Sequence, residues 1–467
     1  MLFSSLPFLY FFLPITLFLY FLAPKGWKNA VLLLCSLIFY AWGEPRFVLV
    51  MMGSILVGYA AGRLIQRDRG TTRGKVWLWL GVLLCLGALA YFKYADFFLR
   101  SFNQLTGLSL PLLRVTLPIG ISFYTFQILS YLVDVSRGEV PAQKNLIHLA
   151  AYIAMFPQLI AGPIVRYSDI ARQLEHREHT LIGAALGARR FILGLSKKVL
   201  IANVLYELMT SAKASAEPSV LLSWIYALAC VLQIYFDFSG YSDMAIGLGR
   251  ILGFRFAENF DYPCIAGSVT EFWRRWHISL GSWFRDYVYI PLGGSRVSRG
   301  KQLRNIFVVW LLTGLWHGAQ WTFVLWGLYY FFLLTGERFL WGRGLERLGP
   351  VRHLYALFFI NLGWVLFRAE SLTVTRGMLR AMFGGAPLSD GRTTYYLLEY
   401  GWVLALATLA SLPWKLWLTR WLEVRRDKAL SRAILIWWPR LTALGLLVLS
   451  YMQLLTSTFN PFIYFRF

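Results

Sequence analysis

Long apolar runs separated by short basic loops set the pattern of this chain. Leu6–Ala23, Ala30–Trp42, Phe47–Ile65 and Val76–Phe98 each predict a membrane helix, the second a short one. Leu117–Gln127 and His148–Val165 are apolar but interrupted, by Pro118 and Gly120 in the first and by Pro157 and Ala161-Gly162-Pro163 in the second. Proline and glycine break helices, and irregular backbone persists at membrane depth only where protein buries it or it lines a cavity. Basic residues flank both sides of this region, so simple alternation of spans fails and a re-entrant or broken element is expected. A mixed helix carries Leu195–Asn203. Val220–Phe238 is the next span and ends in the polar stretch Gln233–Asp243. Aromatic and basic residues then interleave at helical spacing over Ser268–Gly294, which predicts an amphipathic element lying in the membrane interface. Two apolar segments between Ile306 and Leu334, split near His317, precede spans at Leu354–Phe367, Leu397–Leu418 and Leu441–Leu455.

Composition agrees with this reading. Hydrophobic residues make up 58% of the 467 and charged residues 15%, against about 25% charged in a soluble domain. At roughly 20 residues per span the chain has room for about 11 to 14 membrane-embedded helices. The expected fold class is an all-α polytopic membrane protein in a single domain. The net charge of +23 lies in the short loops, as positive-inside topology requires, and its partner is the membrane lipid rather than nucleic acid. Arg67, Arg69, Arg73 and Lys75 face one acid, Asp68, and Arg420, Arg425, Arg426 and Lys428 lie in a second basic loop. Both loops are assigned to the cytoplasm, and counting spans from them puts the N-terminus and the tail Asn460–Phe467 outside. Cys35, Cys85, Cys230 and Cys264 show neither metal nor redox spacing, and no metal or tightly bound cofactor is expected.

His317 is the only acidic, basic or imidazole side chain between Arg304 and Glu337. Such a residue at membrane depth is a functional candidate by default; the alternative is a structural histidine bonded to a neighbouring helix. His277, at the edge of the amphipathic element, carries the same two readings. Asp237 and Asp243 at a membrane boundary are too polar for lipid contact, so they either line a cavity or cap and pack a tight turn around Gly240. Arg274, Arg275, Arg285 and Arg296 form a basic interfacial face that fits an anionic donor, or topology and headgroup contact alone.

Several segments together resemble the membrane-bound O-acyltransferase family and, within it, the branch of the alginate O-acetyltransferase membrane subunit. They are Leu117–Gln127, Gln158–Arg166, Lys197–Asn203, Gln233–Asp243, Asn259–Pro263, Glu271–Gly294 and Leu315–Phe323, with the terminal stretch Asn460–Phe467. The resemblance implies a ring of helices around a tunnel that joins a cytoplasmic donor funnel to an extracytoplasmic acceptor face. It makes His317 the catalytic histidine and His277 the second, upstream one. Trp316 and Asn203 join the two aspartates and three of the arginines as tunnel or donor-side candidates. It also implies that Tyr464 relays the acyl group to a partner; the alternative is an aromatic anchor at the interface.

The expected function is transfer of an acetyl group from a cytoplasmic thioester, with acetyl-CoA as donor, across the bacterial inner membrane for O-acetylation of a polysaccharide such as alginate. A separate extracytoplasmic acetyltransferase would deliver or finish the modification. Transfer of D-alanyl or another acyl group to a cell-wall polymer is the nearest alternative. A transporter would suit the interrupted helices, but the internal repeats it predicts are not visible. A non-catalytic scaffold of a secretion complex would tolerate loss of His317.

Overall fold

The structure, a computed structural model, describes residues 2–213, 218–425 and 429–456. Tyr464 and the rest of the C-terminal motif lie outside the described residues. Helices α1 (Phe8–Leu22), α2 (Lys28–Gly43), α3 (Val48–Arg67) and α4 (Thr72–Thr106) fall on the first four apolar runs. The Thr71 hydroxyl caps α4 by accepting the Gly74 N–H, and Gly107 ends it in the left-handed conformation. Between those caps α4 runs two turns beyond the apolar run, so Arg100 and Asn103 are helical as well as Lys93 and Asp96 within it.

The predicted break is present. α5 (Ile121–Arg137) starts directly after Pro118–Gly120, and α6 (Leu146–Ala154) and α7 (Phe156–Leu159) are two pieces of one interrupted element. Its irregular backbone is buried and served by side chains. The Phe156 N–H donates to Ser36 Oγ at 3.1 Å, the Ile164 N–H donates to Ser279 Oγ at 2.9 Å, and Gln158 Nε2 donates to the Tyr152 carbonyl at 2.7 Å. α8 (Tyr167–Glu175) follows, then α9 (Leu181–Ser196), which passes through a π-helical turn, Lys197–Ala202, into α10 (Asn203–Lys213).

α11 (Val220–Ile251) is the central helix. Of its most apolar stretch 72% is buried, against 17% for α4 and 11% for the last helix, so those two face lipid and α11 faces protein. It runs unbroken through Gly240, which corrects the reading of a tight turn there. The glycine serves close packing instead. A Cβ on Gly240 would sit 2.7 Å from the Gly194 carbonyl of α9, so the two helices meet backbone to backbone.

The amphipathic interfacial element is also corrected. Ser268–Gly294 forms two short helices, α12 (Val269–Arg275) and α13 (Ile278–Phe284), followed by a π-helical turn, Arg285–Tyr289. Phe272, Trp276, Leu280, Trp283 and Phe284 are buried within the protein. Trp283 stacks on Phe126 of α5 with ring centroids 3.8 Å apart, and its Nε1–H donates to the Phe126 carbonyl. The aromatic face that reads as membrane-seeking in sequence finds a protein partner.

α14 (Arg299–His317) and α15 (Trp321–Gly336) are the two segments split near His317. They cross where Gly314 faces Gly327; a Cβ on either would strike the other helix's backbone. α16 (Gly342–Arg347), α17 (Arg352–Arg368), α18 (Leu372–Met382), α19 (Gly391–Ala410), α20 (Trp414–Val424) and α21 (Ala429–Thr456) complete the chain. The single span expected over Leu397–Leu418 is divided between α19 and α20 at Pro413, whose ring cannot continue a helix from the preceding turn. Five helices among the described residues are long and apolar enough to cross a membrane. Those residues form no named strand; one antiparallel bridge pairs Phe260 with Trp276, and it shapes the site.

Candidate active site

His277 stands at the break between α12 and α13. Its backbone lies in the left-handed region, φ 43° and ψ 54°, which a residue with a Cβ adopts at a cost. The surrounding strand-like contact holds it there. The Asp261 N–H donates to the Arg275 carbonyl at 2.9 Å and the Ile278 N–H to the Asn259 carbonyl at 3.0 Å. This pairing brings the Asn259 side chain to the imidazole, with Nδ1 of His277 3.0 Å from Asn259 Oδ1.

The bonds fix the tautomer. Asn259 Oδ1 accepts from the Ser279 N–H at 3.3 Å and the Ser279 hydroxyl at 2.8 Å, while its Nδ2 donates to Ser242 Oγ at 3.0 Å. The backbone N–H can only donate, so Oδ1 faces the ring and Nδ1 of His277 carries the proton. Nε2 is left with its lone pair, buried and without a hydrogen-bond partner among the described residues. Because Ser279 Oγ also accepts from Ile164, one network ties the broken α6–α7 element, α11 and α13 to this ring.

His317 is the last residue of α14 and is 7% exposed. Trp316 connects it to His277. The Trp316 ring centroid is 4.9 Å from the His317 ring and 6.0 Å from the His277 ring. Trp326 and Phe367 pack edge-on to His317 at 5.1 and 5.2 Å. His317 Nδ1 and Trp316 Nε1 are buried with no hydrogen-bond partner among the described residues. Buried polar atoms are almost always paired. Two imidazoles and an indole with open positions in one aromatic enclosure therefore form a site prepared for a polar group.

The other candidates lie elsewhere. Asp237 makes a 2.8 Å ion pair with Lys198, and Asp243 pairs with Lys197 at 2.7 Å and Arg190 at 2.6 Å. These carboxylates tie α11 to α9 and the π-helical turn after it. Asn203 is buried at the start of α10, next to that turn. On the basic face, Arg275 pairs with Asp261 and Glu271, and Arg285 with Asp286. Arg274 and Arg296 are exposed and make no ion pair among the described residues. Asp286 also takes Arg166 at 2.8 Å, and Arg137 and Arg166 both stand over the Tyr287 ring. Sequence reading did not single out Asn259 as a functional side chain, nor Lys93 and Tyr94, which reach the end of α14 from α4. A lysine within a long apolar helix was the signal available. No group of three or more His, Cys, Asp or Glu among the described residues is placed to hold a metal ion.

Comparison with known proteins places the chain in a family. The profile of the membrane-bound O-acyltransferase family matches residues 129–375, which include both histidines, Asn259 and Trp316. A probable alginate O-acetylase of Pseudomonas aeruginosa is 45% identical over 443 residues, which cover 93% of this chain and 85% of that protein. A probable alginate O-acetylase of Pseudomonas putida is 42% identical over 492 aligned positions, covering all of both chains. A peptidoglycan O-acetyltransferase of Helicobacter pylori is 34% identical over 422 residues, 82% of this chain and 80% of its own. With a profile match across the site and this identity along nearly the whole length, the chain belongs to the membrane-bound O-acyltransferase family and is an O-acyltransferase.

Proposed function

We propose that this enzyme moves an acetyl group from a cytoplasmic thioester, acetyl-CoA, across the membrane for O-acetylation of an exported polysaccharide of the alginate type. The observation that carries the reading is the enclosure of His277, Trp316 and His317, whose open ring nitrogens match the needs of acyl transfer. Attack of a hydroxyl on a thioester needs a proton acceptor for the hydroxyl, a donor for the oxygen that gains charge, and exclusion of water. His317 takes the hydroxyl proton as the C–O bond forms. The indole N–H of Trp316 donates to the developing oxyanion. The C–S bond then breaks, and His317 returns the proton to the leaving sulfur. His277, its ring held by Asn259 and by the left-handed backbone at that position, packs against Trp316 and keeps the indole in place beside the reacting atoms.

The names of the acetyl-transferring relatives favour acetyl over D-alanyl. The test is complementation of a Pseudomonas aeruginosa strain lacking its alginate O-acetylase, with ester groups on the exported polymer identified by NMR. Restored acetyl ester is the expected result. An unmodified polymer would overturn the polysaccharide assignment, and a D-alanyl ester would replace the acyl group proposed.

The C-terminal motif enters the same experiment. As a relay, the Tyr464 phenol takes the acetyl group as an aryl ester, activated enough to pass it to an extracytoplasmic partner acetyltransferase. Tyr464→Phe is then expected to cut polymer acetylation at least about tenfold in a protein that still accumulates in the membrane. The wild-type C-terminal peptide should carry one acetyl group by mass spectrometry. Full acetylation by Tyr464→Phe would reduce the motif to an interfacial anchor.

A further inference from the structure

The last carbonyls of a helix have no partner within it, and α14 ends on His317. The Gly318 N–H closes onto the Gly314 carbonyl at 3.3 Å. The next two carbonyls are capped from another helix. The Tyr94 hydroxyl donates to the Leu315 carbonyl at 2.6 Å, and Lys93 Nζ donates to the Trp316 carbonyl. Lys93 and Tyr94 are neighbours on α4. Lys93 Nζ also donates to Ser122 Oγ at 3.3 Å, in the first turn of α5, and stands 5.9 Å from the Trp316 ring centroid.

Depth and charge explain the meeting. α4 and α14 both start beside basic loops, and at 1.5 Å per residue Lys93 and His317 each lie roughly 30 Å along their helices. Both residues therefore stand at a similar distance along their helices from a basic loop. Lys93 pairs with no carboxylate among the described residues. An ammonium in an apolar helix needs acceptors for its donors, and a methionine or leucine would fill the space on α4 without that need. What meets it is the negative end of the α14 dipole and its unpaired carbonyls.

We propose that Lys93, with Tyr94, is a positioning residue for catalysis: it clamps the C-terminal turn of α14 to α4 and α5 and so sets Trp316 and His317 against His277. This rests on the reading of His317 as the proton acceptor. The clamp acts on the carbonyls of the two residues just before the imidazole, so loosening it misplaces the base without removing a group that binds the donor.

The test uses the full chain in lipid nanodiscs together with an extracytoplasmic partner acetyltransferase, with acetyl-CoA as donor probe and a mannuronate oligosaccharide as acceptor probe. Lys93→Met is expected to lower kcat about ten- to a hundredfold, the scale of a small misplacement, while KM for acetyl-CoA stays within about twofold. Lys93→Arg, which keeps a cation able to reach a carbonyl, should recover most of the loss. Tyr94→Phe keeps the ring, loses one hydrogen bond, and should lower kcat by about threefold to tenfold. Wild-type kcat in Lys93→Met, or a raised KM with kcat unchanged, overturns the proposal. If Lys93→Met does not accumulate as folded protein, Tyr94→Phe decides, and unchanged kcat there overturns it. An active His317→Ala protein would instead overturn the assignment of the base, so the two failures are separable.

Discussion

Replacing His317 with alanine is expected to abolish acyl transfer while the protein still inserts and folds. General-base catalysis contributes typically about 10² to 10⁴ in rate, and the enclosure offers no replacement in line with the Trp316 indole. His277 is the other imidazole, but its Nδ1–H is committed to Asn259 and its ring is fixed by the left-handed backbone at that position. It cannot swing into the place of His317 without breaking the network through Ser279 and Ser242. His317→Gln keeps polarity and approximate volume and should be equally inactive, which separates loss of the base from loss of packing against Trp326 and Phe367. The measurement is ester formation by purified protein alongside its thermal midpoint. Activity above about a tenth of wild type, in a role that should contribute at least a hundredfold, would remove His317 from the mechanism.

The largest effect on stability is expected at Lys198 and Asp237. The pair is 2.8 Å long, and the two side chains are 2% and 0% exposed. Taking two charges out of water is expensive, and removing one member of such a pair costs about 3 to 5 kcal/mol because the other charge stays buried without its counter-ion. Lys198→Met and Asp237→Leu are each expected to lose most of the folded protein recovered after extraction. The double substitution removes both charges and should recover much of it, since a buried pair replaced by apolar residues of similar volume is often close to neutral. Fluorescence-detected size exclusion after graded heating reads all three proteins. Single variants as stable as wild type would show that this pair does not hold α11 to the π-helical turn after α9.

The two predictions differ in how far sequence alone could reach them. Amino-acid order determined the all-α membrane class, because apolar runs longer than about 17 residues separated by arginine and lysine have no other soluble or membrane solution. It determined the broken element near Pro157 and Gly162, because proline and glycine act on their own backbone. It also pointed to His317, because one imidazole in an apolar run is costly wherever that run is placed. These are local properties, and no distant residue is needed to read them.

Partnership across the chain was decided only by the tertiary structure. The aspartates of Gln233–Asp243 read as cavity lining or turn caps; packing of α9 on α11 gives them lysine and arginine instead. Gly240 reads as a turn, and only the neighbouring Gly194 shows that it is a point of contact between helices. The amphipathic stretch reads as interfacial because its aromatic face has no visible partner in sequence; α5 and the broken element supply one. Asn259 lies 18 residues from His277, and Lys93 lies 223 residues from Trp316, whose carbonyl it holds. A hydrogen bond or ion pair depends on the distance between its atoms in space, and that distance is set by how the helices pack.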